Sequence, residues 1–167
     1  MTLLDPTREI LIITTGGTID KVYFDDKSDY QVGRTIIGRL LEEAQVTHPN
    51  RIIEALQKDS LHLNEKDRET IKNIVLREPN GQVVITHGTD TMADTARYLS
   101  DITEKTIVLT GALSPARFAM TDAMFNIGMA IAAAQSLEPG VYIAMNGTVF
   151  PAKSVFKNRE MNRFERK

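Results

Sequence analysis

Val83-Val84-Ile85-Thr86-His87-Gly88-Thr89-Asp90-Thr91-Met92 begins as an apolar, β-branched run, the pattern of a buried strand. His-Gly-Thr-Asp punctuates it. Met92, Ala96 and Leu99 then recur at helical spacing, so a helix is expected to begin near Asp90. Thr89 and Asp90 therefore stand where a strand gives way to a helix. Such a place offers free backbone N–H groups and the positive end of a helix dipole. A hydroxyl and a carboxylate there could hold a small polar molecule. The same two residues would equally serve as a helix cap and a favourable first-turn charge.

Ile10-Leu11-Ile12-Ile13-Thr14-Thr15-Gly16-Gly17-Thr18-Ile19 is built alike, an apolar strand running into Thr-Gly-Gly-Thr. It lacks the spacing of a dinucleotide loop and no evident helix follows, so a nucleotide site is not expected. Paired glycines let a backbone turn sharply and come close to a ligand. Thr18 then lies just past a strand's carboxyl end, and in an open parallel sheet such ends face one crevice.

The rest of the chain repeats the alternation. Thr35 to Ala44 carries Ile36, Ile37, Leu40 and Leu41 at helical spacing, and Arg51 to Leu56 reads as a strand. Asn64 with Asp67 has the form of a helix start, with Ile71, Ile74 and Val75 as the inner stripe. Thr106 to Thr110 is a further buried strand. Thr121-Asp122 opens a helix through about Gln135 that is apolar on most sides and so expected to be well buried. Pro139-Gly140 turns the chain into a strand from Val141 to Met145. Asp20 to Gly33 is a long, turn-rich stretch of the kind that serves as a lid. The charged tail, Lys153 to Lys167, suits a solvated face or a subunit contact.

Strands alternating with helices predict an α/β fold: three layers, doubly wound, with a mostly parallel sheet of Rossmann or flavodoxin-like type. Four polar or glycine-rich turns should converge at one sheet edge: Thr15 to Thr18, Lys58-Asp59-Ser60, Gly88-Thr89-Asp90 and Gly111-Ala112. At 167 residues the chain is expected to form one domain. Hydrophobic residues at 42% and charged residues at 25% are ordinary for a globular protein. The net charge of −2 gives no case for nucleic acid or an anionic membrane. Without cysteine there is no disulfide, thiol nucleophile or thiolate-held metal. His48, His62 and His87 do not have metal spacing, and His87 is expected to be structural. Neither a metal nor a cofactor is expected. The opening residues, Met1 to Pro6, show no leader pattern, and a cytoplasmic location is expected.

Thr14-Thr15-Gly16-Gly17-Thr18-Ile19 and Thr86-His87-Gly88-Thr89-Asp90-Thr91-Met92 resemble the two signature segments of the bacterial-type L-asparaginases and glutaminase-asparaginases, in the family order. The resemblance runs on to Lys157 and matches the family's larger, amino-terminal domain. It implies a single domain over 1–167 with the family's carboxyl-terminal domain absent, and a flap after strand one. It also implies roles. Thr18 would be the nucleophile and form an acyl-enzyme, and Tyr30, in the flap, would help activate it. Thr89 and Lys157 would form a second hydroxyl–amine pair. Asp90 would bind the substrate α-ammonium, with Gly88, Asp59, Gln57 and Ala112 completing the substrate site.

Two departures from the family stand out. Its Gly-Ser-Gln-Asp segment reads Leu56-Gln57-Lys58-Asp59-Ser60 here. By position Gln57 replaces the serine, Lys58 replaces the glutamine and Asp59 is kept, with Ser60 available from a shifted position. The second departure is the acidic residue that the family's other domain supplies, for which Glu160 or Glu165 of a partner chain could substitute. The expected activity is hydrolysis of L-asparagine or a related small amide. The alternative is a catalytically weak amino-acid-binding module or truncated homologue. A homo-oligomer, a dimer or tetramer, is expected in either case.

Overall fold

The computed structural model describes residues 8–24 and 29–167. The centre of the expected lid, 25–28, and the opening residues 1–7 lie outside the described residues. In chain order the elements are β1 (Ile10–Gly16), β2 (Lys21–Phe24), β3 (Asp29–Val32), α1 (Ile37–Glu43), β4 (Asn50–Lys58), α2 (Glu65–Arg77) and β5 (Gln82–Thr86). They continue with α3 (Met92–Tyr98), β6 (Thr106–Thr110), α4 (Ala123–Ser136), β7 (Gly140–Met145), β8 (Thr148–Pro151), β9 (Val155–Asn158) and β10 (Arg163–Arg166).

The six-stranded sheet has the order β4-β1-β5-β6-β7-β8. All pairs are parallel except β7 with β8. Successive residues of each central strand feed opposite faces, as a pleated strand requires. Leu11, Ile13, Val83, Ile85, Ile107 and Leu109 pack with α2 and α3. Ile10, Ile12, Val84 and Val108 pack with α1 and α4. Both faces are therefore covered, which is why the strands read as unbroken apolar runs.

The chain leaves β1 toward β4 and leaves β5 toward β6, on opposite sides. That makes the carboxyl ends of β1 and β5 the topological switch point, where an open sheet parts its loops and forms a crevice. The connections β1-α1-β4, β4-α2-β5 and β5-α3-β6 share one hand. β6-α4-β7 has the other, because α4 lies on the α1 face while the chain still advances toward β7. Crossovers of the minority hand are rare. Its consequence here is positional: residues 111–122 must cross the carboxyl edge of the sheet to reach the far face. They do so beside Thr18, where the Ala116 N–H donates to the Ile19 carbonyl at 3.1 Å.

Several expectations change in the structure. The helix after β5 begins at Met92, with Thr91 at the N-cap, so Thr89 is not its cap. Within the Asp20–Gly33 stretch β2 and β3 pair antiparallel, and at their base the Gly33 N–H donates to the Asp20 carbonyl at 2.9 Å. Helix α4 is not buried all round: it buries Ala123, Asn126, Ile127, Ala130, Ile131, Ala133 and Ala134 but leaves Met124 and Phe125 exposed. The tail is not a free solvated segment. Its β9–β10 hairpin inserts Val155 and Phe164 into the core beside α3, and that burial overrides its charged composition. The Asn64–Asp67 helix start is present as a capping box on α2, both bonds at 3.0 Å.

Candidate active site

The site is built on a contact between two glycines. Gly17 has φ 85, a backbone region that favours glycine, and a Cβ placed there would lie 2.5 Å from the Gly88 Cα. A Cβ on Gly88 would in turn fall 2.5 Å from the Ser60 side chain. The Gly17 N–H donates to the Lys58 carbonyl at 2.9 Å, and the Thr91 hydroxyl donates to the Ser60 carbonyl at 2.8 Å. The turns after β1, β4 and β5 are therefore locked together by the glycine contacts and by bonds to two carbonyls at the end of β4 and its turn. Thr18 and Thr89 each follow one of the touching glycines, so they stand on adjacent loops of one crevice.

Thr18 opens a single 3-10 turn, Thr18–Asp20, anchored below by the fully buried Ile19. It lines a cleft of ≈ 310 Å³ with Lys21, Tyr30, Leu113, Pro115 and Phe118. Tyr30 is brought there by the β2–β3 hairpin. Its ring lies 5.2 Å from that of Tyr23 and 5.8 Å from that of Phe118. Arg117 holds the hairpin base from the crossing segment, donating to the carbonyls of Asp20 at 3.2 Å and Arg34 at 3.1 Å.

Thr89 is 6% exposed and is met by Lys157 from β9. The Lys157 ammonium donates to the Thr89 hydroxyl oxygen at 2.8 Å and to the Asp90 carboxylate at 2.7 Å. The same tail hairpin that buries Val155 and Phe164 thus aims Lys157, a residue 68 positions from Thr89 in the chain.

His87 lies beneath this loop, fully buried. Its Nδ1 is 2.7 Å from the Gly88 carbonyl, which can only accept, so Nδ1 carries the proton. Its Nε2 then accepts from the Thr95 hydroxyl at 2.8 Å, and Thr95 accepts from the Arg68 Nε at 3.1 Å. With the Gly88 carbonyl held by His87, the planar trans peptide turns the Thr89 N–H the opposite way. Burial pushes the His87 pKa down to about 4, from an ordinary 6.5. Between those two values the unfolded chain binds a proton that the folded chain refuses. Stability should therefore fall as pH drops from about 6.5 toward 4, by about 3 kcal/mol in all. Urea denaturation midpoints measured across that range check this, and a His87→Asn variant should flatten the decline.

Asp122 pins the wall contributed by the crossing segment. Its carboxylate accepts from the N–H groups of Leu113 at 3.0 Å and Ser114 at 3.1 Å, and from the amides of Asn126 at 2.9 Å and Asn146 at 2.8 Å. Burial opposes its ionisation, but these donors outweigh that and hold its carboxyl below the usual range. Sequence reading missed this network because no local pattern shows that the Asp122 carboxylate turns back to the Leu113 and Ser114 N–H groups and meets Asn146, 24 residues on.

The remaining expected site residues are placed as follows. The Gln57 amide donates to the Val32 carbonyl at 2.8 Å, so it braces the hairpin. Lys58 turns to Asp67, at 2.8 and 3.0 Å. Asp59 accepts from the Leu61 N–H at 3.0 Å and pairs with Lys21 at 3.2 Å. Ala112 is packed in the core beside α4. Ser60 is 1% exposed, and its hydroxyl, against Gly88, has no hydrogen-bond partner among the described residues. Glu165 is bonded to Arg163 at 2.6 Å and Asn158 at 3.3 Å, while Glu160 is exposed. No cluster of metal-ligating side chains occurs among the described residues.

A doubly wound sheet whose switch point carries two threonine turns, one with a lysine on its hydroxyl, defines a class, and the comparisons agree with it. The family model described as asparaginase, N-terminal, matches residues 9–165, and the chain belongs to that family. It is 33% identical over 164 residues to a glutaminase-asparaginase of Acinetobacter glutaminasificans, covering 90% of this chain and 50% of that protein. It is 31% identical over 165 residues to L-asparaginase 2 of Escherichia coli K12, covering 89% and 46%. The solved L-asparaginase I of Vibrio cholerae superposes with a TM-score of 0.83 at 26% identity, over 96% of this chain and 51% of that one. The chain thus spans about half the length of the relatives it matches. Among the described residues, no helix is long and apolar enough to cross a membrane.

Proposed function

We propose that the chain carries an amidohydrolase centre acting on L-asparagine or a related small amide through Thr18. The observation that carries this reading is the Gly17–Gly88 apposition, which sets two threonine hydroxyls on adjacent loops, with Lys157 already on one of them. A threonine hydroxyl attacks only when its proton is removed. Thr18 Oγ bonds to the amide carbon as its proton passes toward Tyr30. The backbone N–H groups of Thr18 and Thr89 face the developing oxyanion. Tyr30 relays that proton to the amide nitrogen as the carbon–nitrogen bond breaks, so ammonia leaves and an ester to Thr18 remains. Water then attacks the ester carbon, its proton passing by way of the Thr89 hydroxyl, which the Lys157 ammonium polarises, to the departing Thr18 oxygen, so the carboxylic acid leaves and the Thr18 hydroxyl is restored. Asp90 takes the substrate ammonium, while Gly88, Ala112, Gln57 and Asp59 shape and brace the pocket. Ammonia release across a panel of amides, with Thr18→Ala as control, tests the reading.

The second reading, binding without turnover, draws on the engagement of Gln57, Lys58 and Asp59 by protein groups. Calorimetry showing aspartate binding without ammonia release from asparagine would favour it.

Self-association belongs to the same proposal. Met124 and Phe125 on α4 are apolar and exposed, at 39% and 61%, as is Met120 at 88%. Such surface is costly to leave in water and suits an isologous contact. Light scattering at micromolar concentration should report a dimer or larger; a monomer refutes the assembly.

A further inference from the structure

Two clefts meet at Lys21. It lines the ≈ 310 Å³ cleft of Thr18, and with Tyr30 it also lines a second cleft of ≈ 330 Å³ floored by Gln57, Asp59 and His62. Among the described residues that line the Thr18 cleft, Lys21 is the one charged side chain. Asp90 lies outside that lining and is held by Lys157 at 2.7 Å. In the second cleft the other lysine, Lys58, is committed to Asp67 by two contacts at 2.8 and 3.0 Å. Lys21 has a single ionic contact among the described residues, to Asp59 at 3.2 Å. An ammonium has three donors, so Lys21 has capacity to spare. Its side chain is 27% exposed, and partial removal from water strengthens its pull on an anion. Lys21 also follows Thr18 within one turn, its backbone N–H donating to the Thr18 carbonyl. Thr18 and Lys21 thus line one cleft from the same turn of chain.

We infer that Lys21 selects the substrate: it holds the carboxylate of a dicarboxylic acid monoamide whose amide lies at Thr18, and a free ammonium on the substrate is not required. This rests on the amidohydrolase reading and narrows its substrate class. Charge complementarity carries it: among the described residues the Thr18 cleft is lined by one cation, Lys21, whose pairing with Asp59 leaves two of its three N–H donors for a substrate carboxylate. Gln57 and Asp59 then act as braces, keeping Lys21 and the hairpin in place.

Titration calorimetry on the full chain tests this with succinate, which has no amine, L-aspartate, which has one, and 3-aminopropanamide, which has an ammonium and no carboxylate. Lys21→Met should weaken succinate and L-aspartate by about ten-fold or more, while Lys21→Arg stays within about three-fold, at matched melting temperatures. 3-Aminopropanamide should bind most weakly and respond to neither variant. Equal succinate affinity in wild type and Lys21→Met overturns the inference. So does wild-type protein that binds L-aspartate but not succinate. Product binding needs no turnover. Lys21-dependent binding without ammonia release would sink the hydrolase reading alone, and ammonia release without Lys21-dependent binding would sink this inference alone.

Discussion

Replacing Thr18 by alanine should lower ammonia release from the best amide in a panel by about three orders of magnitude or more, with little change in the melting temperature. The size follows from the covalent route, in which no bond to the carbonyl carbon forms without that hydroxyl. The modest stability effect follows from position. Thr18 sits at the cleft surface, while the neighbouring Ile19 supplies the buried anchor. Thr18→Ser should restore part of the rate, because the hydroxyl returns without the methyl group that limits its rotamers. Equal turnover by Thr18→Ala and wild type would place the nucleophile elsewhere.

Lys157→Met should slow turnover by about two to three orders of magnitude while L-aspartate affinity changes little. The ammonium reaches the Thr89 hydroxyl and the Asp90 carboxylate together, so its removal takes away the proton path at Thr89. Asp90 is one-third exposed and can be rehydrated, so the loss of its partner should not unfold the loop. Methionine keeps the apolar stem packed, which separates loss of charge from loss of packing. The decisive measurement is kcat against KM across pH. A variant with the wild-type rate at every pH would leave the Thr89–Lys157 pair without a catalytic role.

The strands were readable because burial on both faces leaves a local trace: Ile10 to Ile13, Val83 to Ile85 and Ile107 to Leu109 are apolar without interruption. The α2 start was readable for the same reason, since a capping box is complete within four residues, Asn64 to Asp67. Locality failed where a segment's partner lies far off in the chain. The tail looked solvated by composition, yet two buried residues, Val155 and Phe164, fix it as a hairpin on the core. α3 starts at Met92 rather than near Asp90, with Thr91 at its N-cap and the Thr91 hydroxyl bonded to the Ser60 carbonyl, a partner no local pattern shows. Gln57 and Lys58 matched site positions by counting, but their side chains went to Val32 and Asp67, because hydrogen-bond geometry decides direction and counting does not.

The sequence by itself determined the layers, the alternation of strand and helix, and the two glycine–threonine turns, because each is written in the period and punctuation of a short stretch. Only the tertiary structure decided that Gly17 and Gly88 touch and that β6-α4-β7 crosses with the opposite hand and so walls the Thr18 cleft. It also turned the Lys157 ammonium onto Asp90 as well as Thr89, and set Lys21 between two clefts. Those are meetings of residues distant in the chain. They are set by which apolar surfaces must be buried against one another, a condition on the whole molecule that no single stretch carries.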